Sequence, residues 1–224
     1  GGYGTRLKNR LPLVPKVLAP IKNKPFIYYL ISWLKLANAL FDEVLLATGH
    51  LGELIEEYVC NNALNLTVVK EDRPEGTFSA LLKLIHRVNN NHVLVINGDT
   101  LFQVNFPDMF DSYIKHDSTL LSLVKVDNRG HSFGYSVNSN ARAQFVERPS
   151  KYVSLGAFFT SIQTLKNYYN RHSNDLSGLM LDKDFLAYES PIAYLLEPKY
   201  FIDIGTPDTY DQAQSLIPKL FHSL

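Results

Sequence analysis

Over its first hundred residues the chain alternates short apolar runs with longer segments of helical periodicity. The apolar runs have the length and the Val, Leu and Ile content of buried strands, and they span residues 43–48, 66–70 and 92–96. In the segments around them apolar residues recur three and four positions apart, which predicts helices over residues 26–37, 51–59 and 78–85. Strands that alternate with helices predict an α/β fold with a parallel, helix-covered sheet.

The second half of the sequence predicts more strands in a less regular order. These strands span residues 120–126, 135–137, 143–146, 155–160, 192–196 and 200–204, and the second and third of them flank Asn138–Asn140 as a hairpin. Helical patterns follow at residues 161–170 and 184–189, with a loop expected over 175–183. Thr206 and Pro207 are typical of the first turn of a helix, so a closing helix is predicted there.

Composition limits the classes of function that need to be considered. The 224 residues suffice for one domain, and Lys+Arg and Asp+Glu are 22 each, so no overall field favours nucleic acid or a membrane surface. The single cysteine, Cys60, excludes an intramolecular disulfide and a cysteine-based zinc site. The sequence has no apolar run of bilayer length and no signal-peptide pattern. We therefore expect a cytoplasmic protein with no nucleic-acid or membrane partner.

The start of the chain has the residues of a phosphate-binding loop. Gly1, Gly2 and Gly4 let the backbone approach a ligand closely, and consecutive N–H groups in such a loop form an anion site. Arg6 adds a fork of donors that suits phosphate oxygens, and Lys16 adds a compact positive charge. The pattern favours a polyphosphate ligand.

Two aspartates follow apolar strands more than a hundred residues apart. Asp99 follows the strand at 92–96, and Asp203 lies within the strand at 200–204. A lone aspartate at a strand end more often forms a turn or caps a helix. In open α/β sheets, however, ligands bind beyond the carboxyl ends of the strands, and one or two carboxylates with substrate phosphates commonly hold Mg²⁺. With the glycine loop, the pair favours metal-assisted phosphate chemistry.

Several motifs together resemble the signature of sugar-phosphate nucleotidyltransferases. They are Gly1–Leu7 with Pro15–Lys16, then Asn97–Asp99, Val146–Pro149 and Asp203–Pro207, in the family's order and over nearly the whole chain. Within the family the sequence is most similar to the short guanylyltransferases that activate D-glycero-α-D-manno-heptose 1-phosphate. Three stretches carry that similarity, namely residues 19–26, 71–77 and 200–210.

The resemblance implies a fold and a reaction. The fold is a Rossmann-like, mostly parallel sheet with helices on both faces and a small β-rich sugar-binding part. We expect a single domain over residues 1–224, with a nucleotide-binding half at 1–117 and a sugar-phosphate-binding half at 118–224. In the reaction an oxygen of a sugar 1-phosphate attacks the α-phosphorus of a nucleoside triphosphate, here GTP, and pyrophosphate leaves. The product is a GDP-heptose for bacterial surface polysaccharide, and the family allows a homodimer.

The resemblance also implies roles for individual residues. Arg6, Lys16 and Asp99 are the expected catalytic residues, with Lys16 at the α-phosphate, and Asp99 and Asp203 are the expected Mg²⁺ ligands. The sugar phosphate is expected to bind Glu147 through its hydroxyls, Arg148 through its phosphate, and Gly156. The residues expected to bind the nucleotide are Gly1, Gly2, Gly4, Thr5, Arg6, Glu71, Gly76, Thr77 and Gly98. Of these, Gly76 and Thr77 are expected beside the base or its ribose.

The sequence departs from the family at several positions. Arg148 replaces the usual lysine, and Phe78 and Ser79 replace small residues after Gly76–Thr77, which predicts an altered base pocket. Ser154–Gly156 replaces a stretch that usually contains asparagine. Family members also carry a hydrophobic strand before the first glycine, so the resemblance predicts a preceding segment.

Other functions remain open from the sequence alone. A mannose-1-phosphate guanylyltransferase or a glucose-1-phosphate thymidylyltransferase has the same motifs. A dinucleotide-binding dehydrogenase is disfavoured because Gly2–Leu7 lacks the third glycine of that fingerprint. A glycosyltransferase is disfavoured because residues 97–99 hold a single aspartate, and a non-catalytic nucleotide-sugar-binding relative because Arg6 and Lys16 are present.

Overall fold

A computed structural model describes residues 7, 10–35, 40–71, 76–88, 90–126, 133–172 and 178–221. Contacts between Cα atoms divide the chain into two compact units, and each unit combines separate stretches of sequence. Unit 1 comprises Gly1–Pro74, Gly98–Phe102 and Tyr200–Leu224, and unit 2 comprises Glu75–Asn97 and Gln103–Lys199. The expected division of a single domain near residue 117 stays a prediction.

The described residues form short strands and seven α-helices. Strands β1 to β12 are, in chain order, Pro20–Ile21, Lys24–Pro25, Leu45–Thr48, Thr67–Lys70, His92–Ile96, Thr100–Phe102, Leu120–Lys125, Gly134–Val137, Ala143–Val146, Tyr152–Ser161, Ile192–Leu196 and Phe201–Asp203. Helices α1 to α7 are Phe26–Lys35, Gly52–Asn61, Thr77–Ile85, Phe106–His116, Ile162–His172, Ala187–Glu189 and Pro207–Leu220. A 3₁₀ turn, Lys16–Leu18, precedes β1, and a π-helical turn, Leu181–Leu186, leads into α6. None of the helices in the described part of the chain is long and apolar enough to cross a membrane.

The predicted elements are present, and strands β1, β2 and β6 and helix α4 were missed. Strand β6 and helix α4 were not predicted, although the sequence carries the signal for α4: Asn105 caps its N-terminus and Pro107 lies in its first turn. Met109 and Tyr113, one helical turn apart, are both buried. The predicted loop over 175–183 is wrong for its last residues, because Leu181 begins the π-helical turn.

In unit 1, helices α1 and α2 pack against the parallel pair β3–β4. Leu45 pairs with Thr67 and Thr48 with Lys70. Ile27 from α1 and Ile55 and Val59 from α2 form a buried cluster beside Leu46 and Val68. This parallel pair agrees with the alternating pattern of the sequence, because parallel strands need a crossover such as α2 between them.

A second pair of strands in unit 1 joins distant parts of the chain. Strand β6 pairs antiparallel with β12, with Phe102 opposite Phe201 and Thr100 opposite Asp203. The ring of Trp33 on α1 lies 5.2 Å from that of Phe102, measured between centroids. Helix α7 follows β12 at once, and its Tyr210 hydroxyl donates to the carbonyl of Pro20 at 2.6 Å. The two strands therefore sit between α1 and the start of α7.

Unit 2 is built on a six-stranded sheet with β10 at its centre. One edge of β10 pairs with β7, which pairs in parallel with the outer strand β11. Residue Tyr152 of β10 pairs with β8, which forms a hairpin with β9, and residues 157–161 of β10 pair with β5.

The α/β class is confirmed, and the expectation of a mostly parallel sheet needs correction, because the described sheet is mixed. Strand β10 is antiparallel to β5, β7 and β8. The connections allow this: residues 138–142 alone join β8 to β9, and a link that short permits only an antiparallel pair, whereas parallel neighbours need a crossover such as a helix.

Helices cover both faces of the sheet in unit 2, as expected. On one face, Leu121 and Phe158 pack against α3, α5 and the π-helical turn in a cluster that includes Phe78 and Phe185. On the other face, Leu120 and Phe159, the neighbours of that pair in sequence, pack against Met109 and Tyr113 of α4. The alternation follows the two-residue period of a strand.

The cap of α7 can be tested by mutation. The Thr206 side chain accepts from the backbone N–H of Thr209, whose own hydroxyl accepts from the N–H of Thr206. Replacing a threonine cap by alanine costs about 1 kcal/mol. We expect Thr206→Ala to lower the free energy of urea unfolding by that amount, and Ser215→Ala, on the exposed side of the same helix, to change it by less than about 0.5 kcal/mol. Equal effects of the two substitutions would contradict the capping role.

Candidate functional site

Lys16 and Asp99 form an ion pair in unit 1. Lys16 begins the 3₁₀ turn after Pro15, and its Nζ lies 2.8 Å from Oδ2 of Asp99. Both side chains are partly buried, with 25% and 28% of their surfaces exposed. Partial burial weakens the screening of this pair by water, so the ammonium group is held at the carboxylate.

Asp203 lies beside Asp99 because of the β6–β12 pairing. Asp203 stands opposite Thr100, and the N–H of Ile204 donates to the carbonyl of Asp99 at 3.1 Å. Asp203 is thus the last residue of β12, and Asp99 is the residue just before β6, one step out of register with it. The Oδ1 atom of Asp203 also accepts from the N–H of Gly205, which closes a turn before α7. The turn role that is common for such an aspartate is therefore present at this position.

The residues present fit a magnesium ion. Asp99, immediately before β6, and Asp203, at the end of β12, supply carboxylate oxygens, and oxygen is the ligand that Mg²⁺ prefers. The Thr100 hydroxyl is buried with no hydrogen-bond partner among the described residues, which leaves a further oxygen next to Asp99.

Glu71 is a buried carboxylate at the end of β4 in unit 1. Its side chain is among the buried polar groups, with 6% of the residue exposed. Its backbone N–H donates to the carbonyl of Thr48 at 2.7 Å, which continues the β3–β4 ladder by one residue. Its role toward a nucleotide stays a prediction.

The predicted phosphate loop lies outside the described residues. This applies to Gly1, Gly2, Gly4, Thr5 and Arg6, whose roles stay predictions. Gly98 is described: it is exposed, and a Cβ added there would meet nothing within 4 Å.

In unit 2, Gly76 and Thr77 form the N-terminus of α3. Gly76 has a φ of +108°, and a Cβ added there would lie 2.5 Å from the carbonyl oxygen of Leu179. The Thr77 hydroxyl accepts from the N–H of Leu181 at 3.2 Å. Glycine is therefore required at 76 by its backbone and by a close neighbour. Thr77 has a structural contact that sequence reasoning did not foresee.

The substitution of Phe78 for a small residue has a structural explanation. The Phe78 ring is fully buried, and it stacks on Phe185 with 5.0 Å between centroids. It also meets the ring of Tyr168 edge-on at 4.9 Å. Ser79 is 3% exposed. Phe78 is thus a core residue of unit 2, which explains its size without reference to a base pocket.

Gly156 lies at an irregularity of β10 in unit 2. The register of β10 against β7 shifts between Ser154 and Phe158, and Gly156 has a φ of +76°. A Cβ there would lie 2.6 Å from Nδ2 of Asn97, and the N–H of Asn97 donates to the Gly156 carbonyl at 2.7 Å. In the sequence Asn97 belongs to a motif but has no assigned role. In the structure its side chain lies against Gly156.

Glu147 and Arg148 follow strand β9, and both are exposed. The Glu147 carboxylate forms an ion pair with the Nζ of Lys183, which comes from the π-helical turn. This contact raises the pKa of Lys183. Lys183 was not among the predicted residues, because its partner is 36 positions away in sequence (residue 147 against residue 183).

Comparison with known proteins identifies the family. The model of the family described as Nucleotidyl transferase matches residues 1–219. The chain belongs to this family. The resemblance seen in the sequence motifs is therefore confirmed, as is the expectation of a nucleotidyltransferase enzyme.

Similar proteins cover nearly the full chain. The D-glycero-alpha-D-manno-heptose 1-phosphate guanylyltransferase of Aneurinibacillus thermoaerophilus is 30% identical over 96% of this chain and 94% of its own. The protein of the same name from Campylobacter jejuni is 28% identical over 94% of each chain. The crystal structure of HddC from Yersinia pseudotuberculosis superposes with a TM-score of 0.80 at 26% identity, covering 96% of this chain and 95% of that one. The predicted family and fold agree with these three proteins.

The strain at Gly156 leads to a testable prediction. Alanine at a positive φ, with its Cβ against the Asn97 side chain, is expected to cost about 2 kcal/mol or more. We expect Gly156→Ala to lower the free energy of urea unfolding by that amount. The matched control is Gly98→Ala, where a Cβ meets open space, and it is expected to change stability by less than about 0.5 kcal/mol. Wild-type stability for Gly156→Ala would mean that β10 is regular at this position.

Proposed function

We propose that this nucleotidyl transferase forms a GDP-sugar from GTP and D-glycero-α-D-manno-heptose 1-phosphate. The observation that carries the proposal is the cluster of Lys16, Asp99 and Asp203 in unit 1. The choice of substrates is supported by the relatives that bear this substrate in their names and cover nearly all of the chain. We further propose that the enzyme acts in the cytoplasm, where nucleoside triphosphates are supplied.

In the proposed reaction a phosphate oxygen of the sugar 1-phosphate attacks the α-phosphorus of GTP. The bond from the α-phosphorus to the bridging oxygen breaks, and pyrophosphate leaves with its electron pair. All reacting groups are anionic, so the protein contributes mainly by positioning them and by neutralising charge. Lys16 has the charge and the partly buried setting to stabilise the α-phosphate.

Asp99 and Asp203 are the proposed ligands of Mg²⁺. When bound, this ion neutralises charge on the phosphates and lowers the cost of bringing two anions together. Because Lys16 contacts Asp99, the same carboxylate orients the ammonium group that faces the reacting phosphate. The glycine loop with Thr5 and Arg6 is proposed to bind the β- and γ-phosphates, and Glu71 and Gly98 to contact the nucleotide.

The sugar phosphate is proposed to bind residues of unit 2. Exposed Glu147 has a carboxylate oxygen able to accept from sugar hydroxyls, and Arg148 has the fork of donors that suits a phosphate. Gly156, where β10 is irregular, lets the Asn97 side chain lie directly against the backbone of β10. Gly76 and Thr77 are proposed to lie along the base or ribose, with the Thr77 hydroxyl already held by the Leu181 N–H.

A substrate matrix tests the proposed reaction. Pyrophosphate release would be measured for GTP, dTTP, UTP, CTP and ATP, each with the 1-phosphates of D-glycero-α-D-manno-heptose, mannose and glucose, with and without Mg²⁺. We expect metal-dependent release with GTP and the heptose 1-phosphate. Preference for another pair would replace the proposed substrates by that pair. No release with any pair, but binding of a nucleotide sugar by calorimetry, would favour the non-catalytic alternative.

The proposed metal ligands can be tested separately. Asp99→Asn and Asp203→Asn keep the size of the side chain and remove its charge, so each is expected to lower turnover by at least about 100-fold while the circular dichroism spectrum is unchanged. Each is also expected to weaken Mg²⁺ binding, measured by calorimetry in the presence of GTP. Asp111→Asn, on the exposed side of α4, is the matched control and should match the wild type. Near-normal turnover of either variant would contradict the metal assignment.

A further inference from the structure

One short segment of unit 2 contacts two groups of proposed substrate residues. We call residues 178–184 the connecting segment. At its start, the carbonyl of Leu179 accepts from the N–H of Phe78 at 3.1 Å and lies against the Cα of Gly76. Two residues further on, the N–H of Leu181 donates to the Thr77 hydroxyl at 3.2 Å. The N-terminus of α3 is thus held by the first half of the connecting segment.

The second half of the connecting segment is held by the β8–β9 hairpin. The Tyr135 hydroxyl, on β8, donates to Oδ1 of Asp182 at 2.6 Å. The next residue, Lys183, forms the ion pair with Glu147 after β9. The proposed sugar-binding carboxylate is therefore one residue away from the contact between Asp182 and Tyr135.

The connecting segment is also fixed internally. Met180 donates its N–H to Oδ2 of Asp184 at 2.6 Å, and its carbonyl accepts from the N–H groups of Asp184 and Phe185. The Phe185 side chain is fully buried against Phe78. A displacement at one end of this π-helical turn would therefore be transmitted to the other end, because few of its backbone groups can move independently. Insertions of this kind inside helices are frequent at functional sites.

The contacts at the hairpin differ greatly in strength. Lys183 and Glu147 are 60% and 64% exposed, and an exposed ion pair contributes little by itself. Tyr135 is fully buried, and burial raises its pKa as well as that of Asp182. The bond is part-buried, so its loss would leave the Asp182 carboxylate without its donor at a place that solvent reaches only in part. The bond from Tyr135 to Asp182 is thus what fixes Lys183 in front of Glu147.

We propose that Asp182 is a positioning residue, which, held by Tyr135, fixes the connecting segment so that Glu147 and the Gly76–Thr77 turn are oriented for their substrates. The proposal rests on the proposed function for the roles of those residues, but its contacts are independent of the identity of the sugar. Asp182 itself touches no substrate. It acts on the sugar phosphate through Lys183 and Glu147, and on the nucleotide through Leu179, Leu181 and Thr77.

The first test removes the buried hydrogen bond. Tyr135→Phe deletes the donor with little change in shape, and Asp182→Asn deletes the charge of the acceptor. We expect each to raise the KM for both substrates by about tenfold while kcat falls by less than about threefold, since the reacting groups remain. The double variant should be no worse than the worse single variant, because both substitutions weaken or remove the same interaction. The matched control is Tyr113→Phe.

Tyr113 is a suitable control because it is also buried in unit 2 but lies on α4, against the other face of the sheet. It is 4% exposed, its hydroxyl is hydrogen-bonded to Nδ1 of His92 at 2.9 Å, and its ring packs on Leu120 and Phe159. Tyr113→Phe is expected to lower stability and leave both KM values unchanged. If Tyr135→Phe and Asp182→Asn behave in the same way, lowering only the unfolding midpoint, the positioning role is overturned and the pair is purely structural.

A second test uses Lys183, an exposed residue whose substitution should leave the fold intact. Lys183→Met removes the ammonium group and is expected to raise the KM for the sugar 1-phosphate alone. Lys183→Arg keeps the positive charge and should restore the wild-type KM. Lys166→Met, an exposed lysine on α5, is the control and should match the wild type. Hydrogen exchange measured by mass spectrometry adds a readout without substrates. In Tyr135→Phe, the peptides over 76–85 and over 178–186 should both exchange faster than in the wild type.

The outcomes separate this proposal from the proposed reaction. If wild-type protein releases no pyrophosphate in the substrate matrix, the proposed reaction fails, and the coupled exchange of the two peptides still tests the connecting segment. If the wild type is active but Lys183→Met leaves every KM unchanged, the segment does not orient Glu147 and the inference is overturned. Exchange confined to one of the two peptides would overturn it as well.

Discussion

The antiparallel pairing of β6 with β12 is the constraint on which the proposed catalytic residues depend. It joins residues 100–102 to residues 201–203, and the ladder continues by one bond from Ile204 to the Asp99 carbonyl. This pairing brings Asp99 next to the strand that ends at Asp203. The aromatic contact from Trp33 and the capped start of α7 lie on either side of the strand pair, so packing and capping stabilise the segments that carry the two aspartates.

Each of these carboxylates has its own local donor. Asp99 is bound to the Lys16 ammonium group, and Asp203 accepts from the N–H of Gly205. A cation or a hydrogen-bond donor at a carboxylate stabilises its charged form. A site that is stabilised by charge in this way is also prepared for a divalent cation and for phosphates, because the same oxygens can exchange one positive partner for another.

Unit 2 achieves its local geometry by departures from regular structure. A glycine with positive φ lets β10 change its register next to Asn97, and a second one lets α3 begin against the connecting segment. The π-helical turn then brings Asp182 to Tyr135 and Lys183 to Glu147. Each of these irregularities lies beside a residue expected to contact substrate. These irregular conformations are held by the surrounding close-packed core, in which Phe78 stacks on Phe185.

The sequence by itself determined the elements and the family. Strands such as β5 and the capped helix α7 could be predicted because their signals are local: a run of apolar residues, or a threonine followed by proline. The motif residues Lys16, Asp99 and Asp203 could be selected because their chemistry and order are distinctive. Helix α4 was missed although its cap and periodicity were present in the sequence.

Only the tertiary structure decided which of these residues are neighbours. The mixed sheet follows from where β10 enters it, which depends on pairing with strands far away in sequence. The same holds for the contacts of Lys16 with Asp99, of Asp182 with Tyr135 and of Lys183 with Glu147. No periodicity encodes such contacts, because they depend on long-range packing that brings distant segments together, and local sequence determines only the conformation of each segment.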